Sequence, residues 1–553
     1  MPNSQEFDLA AADALHDEEL KAFPAADTEV LLMRRHGQYY AFAAHCPHYG
    51  APLAKGKLVG EKLICPWHHA CFRVPGGQLC EPPALDNLPS YPVRVADGRV
   101  YVTLPVATPK VPDSPEKTPT AVTGGQVPLP TAEAELDTRT FVIVGAGPAG
   151  QMAAQTLRIE GFTGRVVLLG ADAQPPYDRT KLSKGYLAGK ATDDTLPLRP
   201  ANFYERYGIE LQPNCRVTSL DLGKRQVVLD GDQAPLHYDA LLLCPGSTPR
   251  SLPASVPGHD LGGLYLLRTH ADAHRLLEAA ADAKEVVVVG GSFIGMEAAA
   301  SLAGKEGRQI TVIAQEQEPF EKVLGLEIGR MFRGLHEQKG VRVRTGQQVA
   351  AIEGDAGQVV GVQLASGEQL PADLVVLGIG VRPASDFLRE VLPLEKDGGL
   401  HTNEFLQVTD QVWAAGDVAY LGLHPTGELA RIEHWRVAQQ QGRTAALNML
   451  GRKQPFQNVP FFWTQQYGKS LRYVGRAAKP DEIIFHGNVA EQNFVALYVA
   501  DGQIKAAAAM NRDPDIICLE ALMELNAMPA PDAVRDSANW DAVLRQALGA
   551  QQQ

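Results

Sequence analysis

The chain has 553 residues, enough for several domains, and 45% of them are hydrophobic, which allows large buried cores. A formal net charge of -13 without a long Lys/Arg block argues against nucleic acid or an anionic membrane as the main partner. No apolar run is long enough to span a bilayer; the acidic N-terminus lacks a signal pattern, and the cysteines form no disulfide framework, so a cytoplasmic, reducing compartment is expected.

Residues 1–105 read as β-rich, with short β-prone runs at 30–33, 39–42, 62–65 and 100–103 separated by glycine turns. Two connecting loops carry Cys46-Pro-His48 and Cys65-Pro-Trp-His68. Ligands arriving as two Cys/His pairs suit a cluster whose irons differ, thiolates on one and imidazoles on the other. The prolines stiffen both loops. A Cys2His2 zinc site would instead pair Cys with Cys and His with His at close spacing. Read together, CPHYGAPLAKG and CPWHHACF resemble the Rieske [2Fe–2S] domain, and the resemblance covers most of 5–105. It implies Cys46, His48, Cys65 and His68 as the metal ligands. Ala70 stands where high-potential Rieske proteins carry a serine, so a lower potential is expected. Cys71 and Cys80 are not placed like the disulfide of the respiratory type and read as structural thiols.

Residues 106–138 are proline-rich and aperiodic, a tether that would let the first domain dock on the rest or move between docking sites. A FAD-binding domain is expected over 139–257 and 385–450. It opens on residues 141–150, FVIVGAGPAG: an apolar strand, then Gly145, Gly147 and Gly150, with Pro148 and Ala149 inside the turn. That spacing makes a tight turn, lets the backbone approach a pyrophosphate and packs helix on strand. After the next strand, 165–169, an acid is expected to bind ribose; the expected position is Ala171, and Asp172 lies one residue later.

Residues 176–184, PYDRTKLSK, resemble the flavin-contacting loop of FAD-dependent ferredoxin reductases and apoptosis-inducing-factor-like proteins, which implies that Arg179 and Lys184 contact FAD. No cysteine lies between Gly150 and Cys215, so a thiol–disulfide mechanism is not expected. A nicotinamide-binding domain is expected over 258–384. Its strand and turn, VVVVGGSFIGME at 286–297, repeat the first plan with Gly290, Gly291 and Gly295, Ser292 replacing the middle glycine. The resemblance implies a pair between Glu297 and Lys184 beside the flavin, and both are the candidate catalytic residues. Residues 314–318, with Glu316, hold acids and no base before Lys322, which favours NADH over NADPH. The returning strand holds Gly380. VWAAGDV at 412–418 resembles the second FAD fingerprint, implying Gly416 and Asp417, and RIEHWRVAQQQG at 431–442 also resembles the family, implying Glu433, His434 and Trp435 as candidates to border the ring.

Residues 451–553 read as a reductase cap and dimerisation domain, in which Trp463 covers the flavin or belongs to the core. The glutamine-ended tail after Asp532 is expected to fray. The whole chain resembles apoptosis-inducing-factor-like proteins with an N-terminal Rieske domain. The implied fold is multidomain: an all-β Rieske domain, an α/β, glutathione-reductase-like FAD/NAD reductase, and an α+β cap. The implied activity is electron transfer from NADH through FAD to a [2Fe–2S] cluster and on to an oxygenase, ferredoxin or cytochrome. The alternative is an NADH-responsive redox sensor with slow turnover, and either a monomer or a homodimer fits.

Overall fold

The computed structural model describes residues 4–105, 137–231 and 233–551. The tether expected over 106–138 lies outside the described residues apart from Asp137 and Thr138. All four β-prone runs of the first domain are strands or begin one: Thr28–Arg35, Gln38–Ala43, Lys62–Ile64 and Arg99–Pro105. The Lys57–Val59, Lys62–Ile64, Cys71–Arg73 and Leu79–Glu81 strands make a small antiparallel sheet that carries the metal-ligand loops.

The first nucleotide-binding unit has a six-stranded sheet in which Thr140–Val144 lies between Arg165–Leu169 and Ala240–Leu243, all parallel. Phe141, Val142, Ile143 and the Ala240–Leu243 residues are essentially unexposed, as a strand covered on both faces must be. The second unit repeats the plan in a five-stranded parallel sheet centred on Glu285–Val289. A five-stranded antiparallel sheet, Phe461–Gln466 to Gln503–Met510, follows. One face shares a core with the second nucleotide unit through Phe320, Phe332, Tyr473 and Tyr498; the other packs on the Asp513–Glu524 helix.

As far as it is described, to Gln551, the tail does not fray. Trp540–Gln551 is a helix whose Trp540 and Leu544 are buried in that second core. The polar Gln551 end hides, in composition, a segment that is anchored by its first turn. No helix among the described residues is long and apolar enough to cross a membrane.

Candidate electron-transfer site

The first glycine loop ends at the N-terminus of the Pro148–Ile159 helix. Gly145 has φ 114°, and a Cβ there would overlap the Cys244 carbonyl; one on Gly150 would overlap the Gly145 carbonyl. Gly147 has nothing within 4 Å of its missing Cβ. Backbone packing thus requires two of the glycines, while the third leaves space before unpaired helix N–H groups, where a pyrophosphate fits. Pro148 fills the first helical position, where a missing N–H costs nothing. Ala149 packs against Gly442 of the Trp435–Met449 helix, backbone to backbone.

In the second loop, a Cβ on Gly290 would overlap the Gly378 carbonyl and one on Gly295 the Gly290 carbonyl. Gly291 packs on Ala314, whose Cβ would lie 2.7 Å away from an added one. Ser292 turns its hydroxyl to the Gly378 carbonyl, 3.1 Å away, so it does not cap the Phe293–Leu302 helix. Glu316 is not alone: folding brings Lys322 to 2.5 Å from it. A base that is remote along the chain therefore stands next to the acidic stretch. The Gly380 carbonyl accepts the Arg250 N–H at 2.9 Å, where the chain crosses between units.

Between the loops lies a set of linked charges. Arg179 and the Tyr177 hydroxyl both donate to Asp172 at 2.8 Å, so Asp172 is tied to the flavin-loop segment. Lys184 lies 2.8 Å from Glu297, whose carboxylate also accepts from Ser183 at 2.6 Å and from Thr464 at 2.7 Å. Glu297 is 3% exposed, so these donors replace the water it has lost. Ser247 and Arg268 donate to Asp417 at 2.8 and 2.6 Å. Gly416, at φ 73°, gives its N–H to Gln441. Glu433 pairs with Arg431 at 2.9 Å, His434 begins the Trp435–Met449 helix and leans on Phe462, and Trp435 is half-buried on its first turn. Burial pushes His434 down to about 4, so it is neutral, and its Nδ1 is buried without a partner. Both amide atoms of Gln439 are likewise buried and unpaired. These orphaned groups, with the open space at Gly147, fit a bound FAD that supplies both donors and acceptors.

The metal-ligand loops meet as two like pairs. The Cys46 and Cys65 sulfurs hydrogen-bond each other, and backbone N–H groups of His48 and Tyr49, and of Trp67 and His68, point at them. His48 and His68 bring their Nδ1 atoms to 3.1 Å. Among the described residues no three His, Cys, Asp or Glu side chains gather around one point as a single ion requires. A thiol pair beside an imidazole pair instead fits a two-iron cluster. Burial pushes His48 down to about 4 and His68 well below its usual value, so both rings are neutral, as ligands must be.

The imidazole pair faces the reductase. Tyr49 stacks on His48, ring centroids 3.9 Å apart, and its hydroxyl bonds Asp178 in the flavin-loop segment. The His68 ring lies 4.3 Å from that of Trp463, and Lys184 is among the charges that lower the His68 pKa. Trp463 therefore contacts His68, an expected metal ligand, which neither reading of its sequence position foresaw. Arginines secure the rest. Arg199 donates to Asp86 at 2.8 and 2.9 Å and to the Leu85 carbonyl, Arg472 to the Trp67 carbonyl at 2.8 Å, and Arg436 to the Pro82 carbonyl at 3.0 Å. Arg443 bonds the Cys80 carbonyl, and Gln440 donates to Glu81 at 2.9 Å. Arg436 also pairs with Glu520, which bonds His69. Burial pushes Glu520 up, but Arg436 and His69 outweigh it and hold the carboxyl well below the usual range. Burial lowers His69 against the pull of Glu520, so Arg436 supplies the positive charge and His69 a neutral N–H. Sequence reading missed these anchors. One signal was available: Arg436, Gln440 and Arg443 are spaced i, i+4, i+7 on one face of a mostly buried helix.

This combination of folds defines a flavin- and nicotinamide-dependent oxidoreductase joined to an iron–sulfur domain. The chain matches the family model described as pyridine nucleotide-disulphide oxidoreductase over residues 139–442, the Rieske [2Fe-2S] domain over 5–92 and the reductase C-terminal domain over 461–546. It is 37% identical over 489 residues to apoptosis-inducing factor 3 of Homo sapiens, covering 88% of this chain and 78% of that one. It is also 37% identical to the biphenyl dioxygenase system ferredoxin–NAD(+) reductase component of Paraburkholderia xenovorans, over 67% of this chain and 90% of that one. Among solved structures, the covalent putidaredoxin reductase–putidaredoxin complex matches with a TM-score of 0.70 and 31% identity, covering 75% of this chain and all of that one. The chain belongs to the pyridine nucleotide-disulphide oxidoreductase family, with a Rieske domain at its N-terminal side and a reductase C-terminal domain. It is an NAD(P)H-dependent FAD oxidoreductase of the electron-transfer kind.

Proposed function

We propose that this chain carries electrons from NADH through FAD to its own Rieske cluster, and from there to a redox-protein acceptor such as an oxygenase component, a ferredoxin or a cytochrome. When bound, the flavin exchanges two electrons with the nicotinamide and single electrons with the cluster. The observation that carries this reading is the direction of His48 and His68: they face the loop of Asp178 and Lys184 and the ring of Trp463. Gly145, Gly147, Pro148, Ala149, Gly150, Gly416 and Asp417 hold and orient FAD, and Arg179, joined to Asp172, fixes the loop beside it. Lys184 and Glu297 place an internally neutralised charge pair at the flavin. Gly290, Gly291, Gly295 and Glu316 receive the nicotinamide nucleotide. The preference for NADH rests on Glu316, and its pairing with Lys322 makes that pair the point to test. The separate acceptors named for the reductase relatives support a redox protein as partner.

Anaerobic mixing with NADH, followed at flavin and cluster wavelengths, tests the route. Flavin bleaching followed by cluster bleaching is expected, and His48→Ala, which removes a ligand, should keep the first phase and lose protein-acceptor reduction. Wild-type transfer to the acceptor by that variant would overturn the route.

A further inference from the structure

Cys71 and Cys80 lie on the adjacent antiparallel strands Cys71–Arg73 and Leu79–Glu81. Cys71 opposes Glu81 and Phe72 opposes Leu79, so Cys80 is the extra residue of a β-bulge. Bulges re-aim side chains. This one brings the two thiols into hydrogen-bond contact. Cys71 is buried, whereas Cys80 is half-buried. Arg73 also reaches the Cys80 sulfur, and Lys62 adds a second positive charge. The Cys71 contact leads these in lowering Cys80 to about 6 against burial, while the same contact and burial keep Cys71 protonated. Burial raises Cys215, Cys244 and Cys518, in Cys518 against the pull of Lys57 and Arg545. A half-buried cysteine with a lowered pKa in positive surroundings, beside a buried thiol, is the arrangement of an attacking cysteine with a resolving partner.

We propose that Cys80 and Cys71 are a peroxide-reactive dithiol, with Cys80 attacking and Cys71 resolving. The Cys80 thiolate attacks one oxygen of a hydroperoxide; the S–O bond forms as the O–O bond breaks, and the leaving oxygen takes a proton to give water or an alcohol. The Cys71 sulfur then attacks the Cys80 sulfenic acid; the S–S bond forms, the S–O bond breaks, and the thiol proton departs with hydroxide as water. The hydroperoxide is reduced by the two electrons that the thiols lose. The site lies under the segment that Arg436, Gln440 and Arg443 grip, so oxidation acts where the Rieske domain is held.

The test uses the full-length protein with flavin and cluster in place, treated with hydrogen peroxide, alkylated with iodoacetamide and mapped by mass spectrometry, with the visible spectrum reporting cluster integrity. A cross-linked Cys71–Cys80 peptide is expected, with Cys80 losing alkylation about tenfold faster than the inert Cys518, in line with its thiolate character. In Cys71→Ser, Cys80 should stop at a sulfenic acid that dimedone traps. In Cys80→Ser, Cys71 should remain reduced. Cys80 alkylated as fully after peroxide as before, Cys518 oxidised as fast, or Cys71 oxidised at the wild-type rate without Cys80 would each overturn the proposal. Should Cys71→Ser fail to fold, the wild-type cross-link and the half-buried Cys80→Ser variant still decide it.

Discussion

The Rieske domain meets the reductase in two unlike regions. At its flank, buried and half-buried arginines grip backbone carbonyls: Arg199 on Leu85, Arg436 on Pro82 and Arg443 on Cys80, with Arg436 also paired to the Glu520 carboxylate. At its tip, the contacts are rings: Tyr49 on His48, and His68 on Trp463. Charge-assisted hydrogen bonds are strong and directional, so the flank fixes position. Ring contacts are weaker and pack the imidazole edges against the flavin-loop side, where Asp178 and Lys184 are the nearby charges. Holding and conducting are thus assigned to different residues, and substitutions should separate them.

The largest effect is expected from Arg436→Ala. It leaves Glu520, 4% exposed, without its arginine, and breaking a buried pair costs about 3–5 kcal/mol. Denaturant unfolding followed by cluster and flavin signals should show the Rieske domain released first; an unchanged midpoint would refute the anchor. Arg199→Ala should cost less, about 1–3 kcal/mol, because its partner Asp86 keeps some access to water. Acid should act in the same direction as these substitutions. The Glu520 carboxyl is held below its ordinary 4.5, so its contribution is present above that value and lost as pH falls below it. Glu520→Gln should flatten the dependence of Rieske release on pH below 4.5, and an unaltered slope would show that this group is not the one titrating. The smallest structural effect is expected at the tip: Trp463→Phe should cost under about 1.5 kcal/mol, because an aromatic ring is kept at a half-buried position. Yet it should slow cluster reduction in stopped flow while leaving NADH-driven flavin bleaching intact. Equal rates for both phases would remove Trp463 from the path.

What could be read from the sequence follows the same division. The glycine loops were legible because Gly150 and Gly295 answer to a carbonyl of their own turn and Gly145 and Gly290 to that of the neighbouring strand end, an overlap that recurs wherever that turn is built. The Rieske domain was legible because Cys-Pro-His and Cys-Pro-Trp-His are short and chemically particular. Lys184 and Glu297, 113 positions apart, were joined only through the resemblance, and the structure brings them to 2.8 Å. The flank arginines were not legible: an arginine that grips another domain's carbonyl looks, in sequence, like one in solvent. Lys322 returns to Glu316 through a turn, and Cys80 reaches Cys71 through a bulge, neither of which has a residue signature. The tail misled because its glutamines are visible and the burial of Trp540 is not.

On the proposed route donor site and acceptor domain are one polypeptide, so their encounter is not a bimolecular event. A linked pair sees its partner at an effective concentration in the millimolar range, whatever the protein concentration. Electron flow from flavin to cluster should therefore be first order and survive about hundredfold dilution unchanged, where a reductase with a free ferredoxin would slow in proportion. Dilution then distinguishes internal wiring from traffic between molecules, and it makes this chain's supply of reduced cluster independent of how much of any separate carrier the cell contains.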